Sequence, residues 1–276
     1  MFNKILNILR FNSKRPQVNS WGYYINGPVV EKIYNSEYDL IVTDTDDSNG
    51  EPFSKSDVDH MKESPSGKRK LIIAYISLGE AEDYRWYWNN NWKKNQPKWL
   101  GKSNPDWPGN YTIKDWWHPD WQDITKAILD RVLSAGFDGI YIDKVDAYQD
   151  LGGSEELKFL MSKYIISVSE YVKNKNPNFL VIPQNAEEMA EIPEYLAAVD
   201  GIGKENTFYE NDGTKVSKED SQYAIENLNR FTKENKLVLM VEYVGGTKKR
   251  AVERNIKELD LKYVTYYGPV ALNKLV

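Results

Sequence analysis

Short apolar and aromatic runs recur along the chain, each with the β-branched and aromatic content of a strand. Eight can be read: residues 20–26 (SWGYYIN), 38–44 (YDLIVTD), 70–78 (KLIIAYISL), 139–143 (GIYID), 179–185 (FLVIPQN), 200–206 (DGIGKEN), 237–243 (LVLMVEY) and 263–268 (YVTYYG). The sixth is the poorest strand former, because glycines interrupt it. Between the runs, apolar residues return at helical spacing. Over residues 120–136, Ile124, Ala127, Ile128, Val132 and Leu133 share a face, with Pro119 near the start and Gly136 at the end. Residues 153–177 and 217–236 read the same way, and 247–260 is charged enough to be an exposed outer helix. Shorter helices are expected after the first, second and fifth strands.

Strand–helix alternation predicts a parallel sheet. Eight strands predict an α/β fold closed as a single (β/α)8 TIM barrel over residues 19–276. The alternative is an open doubly wound sheet, but no glycine-rich phosphate-binding fingerprint follows the first strand, where YYINGPVVEK has a single glycine. Only PVALNKLV follows the eighth strand, so the last helix of the barrel is expected to be missing. Residues 1–18, basic with a short apolar patch, read as an N-terminal arm that could cover this gap, or as a remnant of a processed targeting segment.

Composition narrows the chemistry. Hydrophobic residues make up 41% and charged residues 28% of the 276, the balance of an ordinary globular chain, expected as a monomer. The formal net charge of −5 gives no reason to expect a nucleic-acid partner. No apolar run approaches the ~18 residues of a membrane span. With no cysteine and only His60 and His118, disulfides and thiolate chemistry are excluded, and a histidine-rich metal site is disfavoured. No cofactor is expected. An all-carboxylate Ca2+ or Mg2+ site around Asp44, Asp46 and Asp47 stays open. Eight of the nine tryptophans fall between Trp86 and Trp121, in one long Trp-rich loop after the third strand. Connections of that length are usually functional.

Barrel active sites lie at the C-terminal ends of the strands, and there polar residues collect. Asp44 ends the second strand; Glu80 and Glu82 follow the third. Asp143 and Asp146 lie at the fourth, Gln184 and Asn185 at the fifth, Glu205 at the sixth, and Glu242 and Tyr243 at the seventh. Side chains alternate faces along a strand. In GIYID, Ile140 and Ile142 suit the helix layer, so Asp143 points inward. In DGIGKEN, Glu205 shares the inward face with Gly201 and Gly203, opposite Lys204. Two inward carboxylates over a barrel mouth are the minimal kit for glycoside hydrolysis, and aromatic side chains supply the surfaces on which sugars pack. Each residue also has a plainer role: Asp143 as a helix cap or partner of Lys144, Glu205 as a partner of Lys204, the tryptophans as loop packing, His118 as a helix-entry residue. Two other functions compete. A Schiff-base lyase would use Lys204, although parity turns it from the mouth. A non-catalytic carbohydrate-binding barrel would keep the aromatic lid without needing both carboxylates.

The segments AYISLGEAEDYR (74–85), NPDWPGNY (104–111), AGFDGIYIDKVDAY (135–148), VIPQNAEE (181–188) and DGIGKENTFY (200–209) resemble TIM-barrel proteins related to glycoside hydrolase family 114, whose characterised members are endo-α-1,4-polygalactosaminidases. The resemblance spans about Trp21 to Tyr267. It implies Asp143 and Glu205 as the catalytic pair, with Asp146 as the second Asp of a D-x-V-D pattern. It implies an oligo- or polysaccharide substrate, and a place outside the cell or in its envelope, although no clear signal peptide is seen. Candidate substrate contacts are Tyr24, Asp44, Tyr75, Ser77, Glu80, Glu82, Trp86, Asp146, Gln184, Asn185, Glu242, Tyr243 and Tyr267. Lys144 stands where the family commonly has Asn, and Gln184-Asn185 where it has Lys-Asn. Both departures bear on sugar specificity more than on hydrolysis.

Overall fold

A computed structural model describes residues 17–276. The expected arm therefore lies outside the described residues except at its end, where Val18 is buried among inward-facing side chains. The first half runs β1 (Trp21–Tyr24), α1 (Val30–Tyr34), β2 (Leu40–Thr43), α2 (Lys55–Met61), β3 (Leu71–Ser77), β4 (Glu80–Glu82), β5 (Leu100–Ser103), β6 (Asn110–Ile113) and α3 (Pro119–Ala135). It continues through β7 (Gly139–Asp143), α4 (Ala147–Asp150), α5 (Glu155–Lys175), β8 (Leu180–Pro183), α6 (Pro193–Ala198), β9 (Gly201–Glu205), α7 (Lys218–Lys233), β10 (Leu237–Glu242), α8 (Gly246–Glu258) and β11 (Val264–Tyr267).

Each of the eight expected strands is present, and they pair only in parallel. One sheet has the order β1-β2-β3-β7-β8 and a second β9-β10-β11. A parallel bridge between Gln184 and Gly203 links the sheets at one seam. At the other, the Trp21 indole donates to the Val264 carbonyl at 2.9 Å. The C-terminal segment packs there too: Leu272 O accepts from Ile25 N at 3.1 Å and from Asn26 N at 3.0 Å. Residues 268–276, after β11, are non-helical.

Alternation along the strands sorts the core into two layers. Trp21, Tyr23, Leu40, Val42, Ile73, Tyr75, Tyr141, Ile182, Leu239, Val241 and Tyr266 pack together on the inward face. Ile41, Ile72, Ala74, Ile140, Ile142, Val181, Ile202, Val238 and Met240 face the helices. The glycine-rich β9 forms despite its propensity because a neighbour fills the space its glycines leave. A Cβ on Gly203 would stand 1.8 Å from the Tyr141 phenol oxygen.

The connection between β3 and α3 is more ordered than a bare loop. It folds into an antiparallel sheet, β4-β6-β5. Trp99, Leu100, Ile113, Trp116 and Trp121 are buried there, giving the connection a core continuous with the helix layer. Trp99 lies 5.1 Å from Trp92 and 5.3 Å from Trp121, ring centre to ring centre. Most of the tryptophans thus pack the connection. Trp86, Trp107 and Trp117 are exposed. His118 is the N-cap of α3, accepting from Asp120 N at 3.3 Å, and Gly136 ends the helix at φ 85°.

Candidate active site

Parity carries Asp143 and Glu205 inward, as expected, each half-buried. Asp143 Oδ2 accepts the Tyr75 hydroxyl at 2.5 Å, and Oδ1 accepts the Lys144 amide at 2.7 Å. Glu205 accepts the Tyr243 hydroxyl on one oxygen and the Gln184 side-chain amide on the other. Tyr23 in turn donates to Gln184 Oε1 at 2.9 Å, which fixes that amide's orientation. Asn185 Oδ1 accepts the Glu205 backbone amide at 3.3 Å. Two carboxylates are thus each held by an inward phenol.

Electrostatics push both carboxyls toward the protonated form. Burial, and then the charge of Glu205, raise Asp143 to about 7, against the lowering effect of the Tyr75 hydrogen bond. Burial also raises Glu205, opposed by the Tyr243 bond and the nearby Lys204 ammonium.

The backbone around them is strained. Lys144 (φ 58°), Asn185 (φ 58°), Ala186 (φ 52°) and Asn206 (φ 55°) are left-handed non-glycine residues, and they follow directly on Asp143, Gln184 and Glu205. Such conformations cost about 1 kcal/mol or more each and cluster where function needs a fixed geometry. Close packing adds to the constraint: a Cβ on Gly79 would stand 2.0 Å from the Lys144 carbonyl oxygen.

The other expected contacts divide. Tyr75, Gln184 and Tyr243 touch the two carboxylates directly, and Asn185 holds the Glu205 backbone. Ser77 pairs in register with Asp143, and its buried hydroxyl has no hydrogen-bond partner. Asp146 lies in a cleft of about 430 Å3 that also takes in Glu205, Asn185, Lys204 and Glu187. Glu80 is buried, accepting from Asn104 at 2.8 Å and Asn110 at 3.1 Å. Asp44 and Glu82 are held by Arg85, which bonds Asp44 at 2.6 and 2.9 Å and Glu82 at 2.7 Å.

Three positions do not join the group. Tyr24, Glu242 and Tyr267 are the outward members of their strands, because the inward places go to Tyr23, Val241 and Tyr266. Tyr24 bonds the Gly27 carbonyl at 2.8 Å, and Glu242 accepts the Phe208 amide at 2.8 Å and the Tyr209 amide at 3.2 Å. The Trp86 ring is covered by the Arg131 guanidinium, 4.5 Å from its centre.

The open metal reading fails on geometry. Arg85 holds Asp44 and reaches Asp46 at 3.4 Å, while Asp47 accepts the amides of Asn49 and Glu51. Among the described residues no cluster of three or more acidic or histidine side chains could hold a metal ion. Lys204 pairs with Glu187 at 3.2 Å in the cleft beside Glu205, and the Lys144 ammonium bonds Asp150 at 2.9 Å rather than Asp143. Two site residues escaped sequence reasoning, Tyr23 and Arg85. Tyr23 was within reach, since it shares the inward parity of Trp21. Arg85, the basic residue in GEAEDYR, gave no parity signal because it lies beyond a strand.

The family model of glycoside-hydrolase family GH114 matches residues 10–273. The chain belongs to family GH114. An uncharacterized protein of Methanocaldococcus jannaschii is 38% identical over 262 residues, covering 89% of this chain and 74% of that one. The glycoside hydrolase domain of PelA from Pseudomonas aeruginosa superposes with a TM-score of 0.70 at 15% identity, covering 94% of this chain and 98% of the domain. Ega3 of Aspergillus fumigatus, solved in complex with galactosamine, gives a TM-score of 0.66 at 16% identity over 96% and 97% of the two chains. The structural likenesses carry the fold, and GH114 membership supports glycoside hydrolase activity. No helix among the described residues of this GH114 protein is long and apolar enough to cross a membrane.

Proposed function

We propose that the protein is a polysaccharide-cleaving glycosidase whose reacting groups are Asp143 and Glu205. The observation that carries this reading is the pair itself: two inward carboxylates, each clamped by a phenol and each pushed toward its protonated form. Near neutral pH such a pair offers a proton while its second member is ionised, the division of labour that glycosidic cleavage requires. In a retaining reaction Asp143 attacks the anomeric carbon as the leaving oxygen takes a proton from Glu205. Glu205 then removes a proton from the water that releases the sugar. In an inverting reaction one carboxyl gives the proton while the other activates the water directly. The bridge at β8 and β9 and the Trp21 bond to β11 support closure of the two sheets as one (β/α)8 barrel around this mouth.

The substrate we favour is an α-1,4-linked galactosamine polymer. The cleft beside Glu205 is lined by Asp146, Glu187, Glu188, Glu210 and Asp220 against the one ammonium of Lys204. Such a lining favours a cationic, amine-bearing chain over a neutral one. Purified protein should be screened against amino-sugar and neutral polysaccharides, with Asp143→Asn and Glu205→Gln as controls. Release of reducing ends from the amino-sugar polymer, reduced about 10²–10⁴-fold in either variant, is the expected result. Full activity in Asp143→Asn would remove the pair from the mechanism. Glycan binding without turnover, unchanged in the double variant, would make the protein a carbohydrate-binding barrel. The anomer first released, read by NMR, separates retention from inversion.

A further inference from the structure

Tyrosines at protein surfaces ordinarily bury the ring and leave the hydroxyl in water. Tyr84 does the opposite. Its residue is 64% exposed, yet its hydroxyl donates to Glu82, which is 3% exposed. The Arg85 guanidinium lies over the ring, 5.1 Å from its centre. Arg85 in turn is fixed by Asp44 and Glu82. The ring is thus tethered at its polar tip and backed by a cation, while its apolar surface stays in solvent. Leaving that surface wet forgoes the gain of burying an aromatic side chain, and nothing in the packing of the chain requires it.

The ring's support reaches toward the strands that carry the pair: Arg85, over the ring, grips Asp44, which directly follows β2, and β2 lies beside β3 with Tyr75 and Ser77. Ser77 is the register partner of Asp143, and the chain turns from there through β4 to Tyr84. The Tyr75 phenol is bonded to Asp143, and after burial the charges of Asp143 and Glu82, the tether of Tyr84, raise it well above its ordinary value.

We infer that Tyr84 is an aromatic platform on which one sugar ring of the substrate stacks beside the Asp143–Glu205 pair. The inference rests on the glycosidase reading. Sugar rings present C–H faces that pack on an aromatic surface. A platform held by its hydroxyl and backed by a guanidinium loses little freedom when the sugar arrives. The network of Glu82, Arg85 and Asp44 then acts as the support of this ring, which accounts for three buried or half-buried charged groups at the mouth that do not touch the reacting pair.

The test is steady-state hydrolysis of α-1,4-linked galactosamine oligomers by Tyr84→Ala and Tyr84→Phe. Removing the ring should raise KM about tenfold, the size of one aromatic contact, with a smaller change in kcat. Tyr84→Phe keeps the ring and loses only the tether, so its KM should stay within about threefold of wild type. Tyr84→Ala and Tyr84→Phe both lose the bond to Glu82, so the Phe variant is the control for any loss of stability, and circular dichroism checks that each is folded. Wild-type turnover with an unchanged KM in Tyr84→Ala would overturn the platform and leave the glycosidase reading standing. A wild-type protein inert toward every amino-sugar and neutral polysaccharide would remove both.

Discussion

The Tyr141 phenol fills the space that any side chain on Gly203 would need, with a Cβ there only 1.8 Å from the phenol oxygen. Tyr141 comes from β7, two residues before Asp143, and Gly203 from β9, two residues before Glu205. This contact therefore sets the approach of the two strands that carry the proposed pair. Gly203→Ala forces one of them to move. Overpacking of this kind costs about 1–3 kcal/mol. The variant is expected to unfold at lower urea than wild type and, if it folds, to lose activity out of proportion to that loss of stability. Wild-type kinetics in a folded Gly203→Ala protein would show that the spacing of β7 and β9 is not constrained here.

Both proposed carboxyls bind protons more tightly in the folded protein than in the unfolded chain, where carboxylates titrate near ~4. Folding therefore favours their protonated forms. The stability they affect is lost as pH rises from the ordinary carboxylate range through the folded value, about 7 for Asp143. Asp143→Asn removes that penalty. It is expected to melt above wild type at alkaline pH and to converge with it below about pH 4. Thermal denaturation across that range reads the difference. An Asp143→Asn protein less stable than wild type at every pH would contradict the raised value.

Tyr75 holds the ionised form of Asp143 by donating to it, so its hydroxyl works against burial. In Tyr75→Phe the carboxyl should titrate at higher pH. The limb of the pH–kcat/KM profile that reports this group is expected to move upward, with a loss of activity at neutral pH of about tenfold. Loss of activity with no movement of either limb would mean that Tyr75 contributes only by packing.

Much of this was legible from strand parity. In GIYID and DGIGKEN the aliphatic residues claim the helix layer, and Asp143 and Glu205 are left facing inward. Where parity was not applied, expectation went astray. Tyr24, Glu242 and Tyr267 stand at the right strand ends but on the outer face, one position out of phase with Tyr23, Tyr243 and Tyr266. Past the strand ends there was no period to read. The sheet β4-β6-β5 and the hold of Arg85 on Asp44 and Glu82 depend on contacts between distant segments, which hydrophobic spacing does not encode.

Arg85 is 8% exposed at its side chain and is the counter-charge for Asp44, Glu82 and Asp46. Asp46 has a buried oxygen with no hydrogen-bond partner even so. Arg85→Ala would leave three carboxylates facing one another, offset only in part by the Tyr84 hydroxyl on Glu82 and the Arg131 charge near Asp46. Breaking a buried ion pair from one side costs about 3–5 kcal/mol, so this variant is expected to be strongly destabilised in urea. Arg85→Lys keeps the charge but cannot grip Asp44 with two nitrogens, and should fall between. Equal stability of Arg85→Ala and wild type would mean that water already compensates these groups.

Tyr243 and Tyr267 end adjacent strands and differ in the face they present. The Tyr243 hydroxyl donates to Glu205, whereas that of Tyr267 is buried on the outer side with no hydrogen-bond partner. The same substitution should therefore have opposite consequences. Tyr243→Phe removes a bond to the carboxylate and is expected to lower kcat/KM about tenfold or more, since bonds to charged groups contribute about 1.5–3 kcal/mol. Tyr267→Phe removes a hydroxyl that burial left unsatisfied. It should leave kcat and KM unchanged and raise stability by up to about 1 kcal/mol. Parallel kinetics and urea unfolding of the two variants decide the matter. A loss of activity in Tyr267→Phe would place that residue at the substrate after all, and would mean that the outward face of β11 is not sealed from the mouth.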